Sequence, residues 1–169
     1  MTTSHDAVSP ARRSTVLAIL TAHIALSVGL LGDSAGFLAV AVARAASADA
    51  AFRDAALQLL GMFALMFGIP LSFIALLTGV TLAALTRWSL FRYPWTITKL
   101  CLIVTVIAVG AFLLRPVLGG EIPGGDGLLI AGSAWDVAAL AVAVGLGVFK
   151  PGRALGARAG QAPLSRSAR

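Results

Sequence analysis

The chain has 169 residues, of which 59% are hydrophobic and only 12% charged, with a net charge of +6. A soluble domain carries about 25% charged residues, so this balance argues against an ordinary soluble fold. The cations lie in short loops and tails rather than on the basic face that nucleic-acid binding requires.

Residues 1–13 read as a polar tail ending in Arg12-Arg13, and residues 14–149 as the membrane domain. The first apolar run covers about 16–42, and its only ionisable residues are His23 and Asp33. A secretory or twin-arginine leader also begins with paired cations, but its apolar core is about 7–15 residues, shorter than this run. A mixed-charge loop at 44–54 leads to the second run, about 55–85, which contains Pro70. A basic aromatic connection, RWSLFRYPW at 87–95, precedes the third run at about 96–114. The stretch RPVLGGEIPGGDG, 115–127, holds two prolines and five glycines and reads as a loop. The fourth run is about 128–149, and residues 150–169 read as a basic, disordered cytoplasmic tail.

Each run reaches the roughly 20 residues needed to cross a hydrocarbon core about 30 Å thick. A helix satisfies its own backbone hydrogen bonds where no water is available. The expectation is therefore an all-α, four-helix transmembrane bundle. Ten of the thirteen cations fall on the side of the two termini, against Arg44, Arg53 and Arg115 on the other. Positive-inside bias then gives an N-in, C-in membrane protein.

Ionisable groups inside a span are costly and are functional candidates for that reason. His23, Ser27 and Ser34 share one stripe of the first helix, while Asp33 lies about 100° away among Ala22, Ala25, Gly29, Gly32 and Gly36. Asp136 follows Ser133 by three residues and shares its face. His23, Asp33, Ser133 and Asp136 thus form a candidate polar site toward the outer half, able to bind a cation or relay protons. Against that, each aspartate can simply accept hydrogen bonds or be held as the neutral acid. Lys99, one turn inside the third helix, reads as a side chain snorkelling to the interface, in preference to a counter-ion for a substrate.

The second helix carries Gly61, Ala64, Gly68, Ser72, Ala75, Gly79 and Ala83 at spacings of three or four. Small residues let helices approach closely in lipid, so Gly61, Gly68, Ser72 and Gly79 mark a packing face, and Pro70 should kink the helix. No phosphate loop, metal motif or nucleophile elbow occurs. His23 alone gives haem no second axial histidine, and Cys101 with His23 does not make a metal site. No enzyme activity and no cofactor are expected. The partners expected are the bilayer and either further copies of the chain or another membrane protein, with no nucleic acid.

The segments LTAHIALSVGLLGDSAGFLAVAVA, LFRYPWTITKL and VGLGVFKPGR resemble a group of four-helix membrane proteins of high-GC bacteria whose function is unknown. RYPWTITKL is also remotely similar to the copper resistance protein D type of membrane domain. The resemblance implies the four-helix architecture and a place in the bacterial cytoplasmic membrane. A histidine early in the group's fourth span is replaced here by Ser133-Ala134-Trp135-Asp136, so no metal or haem role carries over. The functional expectation is a non-enzymatic interaction or structural component. Its alternative is a small transporter or channel component moving protons or a cation.

Overall fold

The computed structural model describes residues 10–85 and 94–149. Both tails and most of the aromatic connection, with Trp88 and Tyr93, lie outside the described residues. Within them the chain forms four long helices: α1, Pro10–Ala46; α2, Ala50–Leu85; α3, Pro94–Leu118; and α4, Asp126–Phe149. All four are long and apolar enough to cross a membrane, the pattern of a multi-pass membrane protein. Their outer surface is apolar, with Leu65, Phe112 and Phe149 among the most exposed side chains. That is the surface a hydrocarbon solvent asks for.

The helices reach further than the apolar runs. Ala45 and Ala46, in the stretch read as a loop, extend α1, because alanine propagates a helix with little entropic cost. The break before α2 is only residues 47–49. The carboxylate of Asp49 accepts from the Ala51 N–H at 2.9 Å and caps α2.

Two five-residue π-turns lie inside the spans, at Ala64–Gly68 and Gly110–Leu114, and each ends two residues before a proline, Pro70 or Pro116. A proline ring collides with the carbonyl four residues earlier and offers no N–H. A wider turn relieves that collision, and the Ile69 N–H accordingly bonds Ala64 O while the Arg115 N–H bonds Gly110 O. This corrects the reading of 115–127 as wholly loop, since Arg115–Leu118 continues α3. The helix then stops in a Schellman arrangement. Gly120 takes φ 76°, its N–H bonds Val117 O, and the Glu121 N–H bonds Pro116 O.

Sequential helices are antiparallel neighbours: α1 packs on α2, α3 on α4, and α1 closes extensively on α4, while α2 and α3 touch less. Arg44 near the end of α1 pairs with Asp126 at the start of α4. Equal rise along the two helices then sets Leu30 beside Leu140 and Ser34 level with Asp136. The interior is layered accordingly. Phe37, Ala41, Leu60, Leu114, Val117 and Leu129 make one apolar cluster near the 47–49 turn, and Leu30, Val106, Ala139 and Leu140 make a second toward the termini.

Candidate functional site

Three polar regions break the apolar interior, at different depths. The first is a cavity of about 530 Å³ at the end where α1 and α3 begin and α2 and α4 finish. All four helices line it, and Leu30, Ile103 and Leu140 form its deep end. Its polar lining includes His23, Ser27, Thr96 and Lys99.

His23 Nδ1 lies 2.9 Å from Thr78 Oγ1 on α2. Thr78 Oγ1 also sits 2.8 Å from Ile74 O and 3.1 Å from Ala75 O, to which it donates its one hydrogen. It must therefore accept from His23, which places the ring proton on Nδ1 and leaves Nε2 as the acceptor. Gly79 permits this approach, because a Cβ there would stand 3.1 Å from His23 Cε1. The Ser27 hydroxyl donates to His23 O at 2.7 Å. Thr96 Oγ1 is buried and has no hydrogen-bond partner among the described residues. The Lys99 ammonium lies against Gly147, 3.0 Å from where its Cβ would be.

The second region is a layer of carboxyls between the two apolar clusters. Asp136 is 7% exposed, and its Oδ1 is buried without a hydrogen-bond partner among the described residues. Ser133, only 1% exposed, turns its hydroxyl to its own helix, donating to Leu129 O at 2.6 Å and not to Asp136. Ser34, buried at 8% exposure, stands at the same level on α1. Asp33 presses its carboxylate on the π-turn of α2, with Oδ2 3.3 Å from a Cβ built on Gly68. Asp33 Oδ1 is likewise buried without a partner among the described residues.

The third region closes the opposite end. Asp126, at the first position of α4, takes Arg44 on one oxygen and Arg53 Nη2 on the other, the latter at 2.8 Å. Arg44 Nε also donates to Arg53 O at 3.1 Å, so α1, α2 and α4 are tied together.

The structure therefore separates residues that the sequence reading grouped. His23 faces the cavity, whereas Asp33 and Asp136 do not line it; ten residues, about 15 Å of helix, lie between His23 and Asp33. On the α2 face, Gly68 meets Asp33, Gly79 meets His23, and Ser72 is buried. Gly61 does not belong to the close contact, since a Cβ there would meet nothing within 4 Å. Sequence reasoning missed the Asp126 clasp, although an acid opening a helix is the signal that marks it. It also missed Thr78 and Thr96, and it favoured an interfacial anchor over a substrate counter-ion for Lys99. No group of three or more His, Cys, Asp or Glu able to hold a metal occurs among the described residues. No protein-family model matches the chain, and no curated protein or solved structure is significantly similar to it. The site is read from its geometry.

Proposed function

We propose that this chain is a non-enzymatic, multi-pass protein of the bacterial cytoplasmic membrane that binds and passes protons at its carboxyl layer. The observation that carries the reading is Asp136, nine-tenths buried with an unpartnered oxygen and held between two apolar clusters. An acid in that setting is costly to keep and is retained where it has work to do. A proton needs one oxygen, whereas a metal cation needs a shell of several. Protons are therefore favoured as the cargo over a cation. The orientation is N-in, C-in, supported by the positive-inside distribution of cations. The cavity then opens toward the cytoplasm and the Asp126 clasp faces outside. Further copies of this chain are the expected protein partners.

The test is pH-gradient-driven proton flux in proteoliposomes. Wild-type protein should exceed protein-free liposomes, and Asp136→Asn should reduce the excess at least tenfold, with a smaller loss for Asp33→Asn. Wild-type flux equal to that of bare liposomes would return the protein to the other expectation, an interaction or structural component.

A further inference from the structure

The cavity at the terminal end has features that proton passage does not use. It is lined by four helices and has about 530 Å³ of space, within the roughly 300–1,000 Å³ typical of ligand sites that pair apolar walls with a few placed polar groups. Its polarity runs along its length. Thr96 and Lys99 come from the first turns of α3, and Lys99 Nζ reaches Gly147, two residues from the end of α4. The hydrogen-bond donors therefore sit at the mouth. Midway, Ser27 spends its hydroxyl on His23 O and His23 spends Nδ1–H on Thr78. The deep end is Leu30, Ile103 and Leu140. No acidic side chain is among the described lining residues.

We infer that this cavity binds a single-chain anionic amphiphile, a fatty carboxylate, with its head group at Lys99 and Thr96 and its chain running down the apolar wall. An ammonium carries three donors, so contact with one protein group leaves others for a carboxylate. The Thr96 hydroxyl supplies a further donor, and its oxygen has no hydrogen-bond partner among the described residues. A charge-assisted pair at the mouth fixes the orientation and selects the anion, while burial of the chain supplies most of the affinity. This site stands apart from the carboxyl layer, and either property can fail without the other.

Trp95 lines the cavity, whereas Trp135 is 46% exposed on the outer face of α4. The experiment uses the full chain in nanodiscs with Trp88→Phe throughout. One variant keeps only Trp95 and another only Trp135, and each is titrated with dibrominated stearate as the quencher. The expected result is saturable quenching of Trp95 that unbrominated stearate reverses, while Trp135 follows the bulk lipid concentration. The apparent Kd should weaken about tenfold in Lys99→Gln, the loss of one charge-assisted hydrogen bond, and recover in Lys99→Arg. Ala143→Phe, which fills the cavity, should abolish saturation. Trp95 quenching that tracks Trp135 and resists competition overturns the inference. So does equal quenching by the brominated fatty alcohol, or by a brominated two-chain phosphatidylcholine. An unchanged Kd in Lys99→Gln, in protein whose helicity is intact, removes the head-group assignment and with it the proposal.

Discussion

At the scale of single residues, the informative polar groups are those whose hydrogens can be assigned. Thr78 hands its hydrogen to the backbone and so must accept from His23. Interhelical hydrogen bonds of this kind contribute about 0.6 kcal/mol on average in a bilayer. Thr78→Val keeps the shape and removes the acceptor. It should lower stability by about 0.5–1.5 kcal/mol in unfolding titrations in mixed micelles, and the same loss should appear in His23→Ala without adding to it. His23 was legible in the sequence as a polar residue in an apolar run. Its partner was not, because threonine is common in such runs and only the crossing of α1 and α2 selects Thr78. Lys99 shows the converse. Its place near a helix end was legible, but whether it faced lipid or the interior depended on neighbours that spacing alone does not reveal.

At the scale of helices, the apolar runs located the spans, but the prolines decided their inner geometry. Pro70 and Pro116 both leave a π-turn upstream, and no reading of hydropathy distinguishes that from a kink. The glycines separate by what a methyl would meet. A Cβ on Gly132 would stand 2.6 Å from Leu114 Cδ2, whereas Gly61 has open space. Gly132→Ala should therefore cost about 1–3 kcal/mol through overpacking. Gly61→Ala should be neutral or stabilise by up to about 1 kcal/mol through helix propensity. Unfolding of both variants under one set of conditions decides the point, and a cost at Gly61 would restore it to the packing face. The Asp126 clasp gives a second contrast. Asp126→Asn leaves two guanidinium groups facing each other and should destabilise by about 1–3 kcal/mol, between the values of exposed and buried pairs. Asp54→Asn, at the exposed residue next to Arg53, should change stability by less than about 0.5 kcal/mol.

At the scale of the whole molecule, the four long apolar helices were legible because a bilayer imposes length and apolarity on any helix that spans it. The interior arrangement was not, because a helix apolar all round does not announce which side faces lipid. The expected grouping of His23 with the two aspartates failed on that account: depth along a helix can be counted, but the face in contact cannot. Topology remains testable directly. In a Cys101→Ala background, Ile122→Cys should react with an impermeant thiol reagent added to intact cells, and Arg169→Cys only after permeabilisation. The reverse pattern would invert the bundle.

The clasp at Asp126 bears on the order in which this protein is made. Its two arginines belong to the first helical hairpin and its acid to the last helix, so synthesis delivers the cations well before their counter-charge. Until α4 is inserted, Arg44 and Arg53 repel across the tip of that hairpin. Arrival of Asp126 turns the repulsion into a bond among three helices. The same contact that seals one end of the finished bundle therefore also registers that the fourth helix is in place, and a chain arrested before residue 126 should present an open hairpin with its two arginines unclasped to the membrane's quality-control proteases.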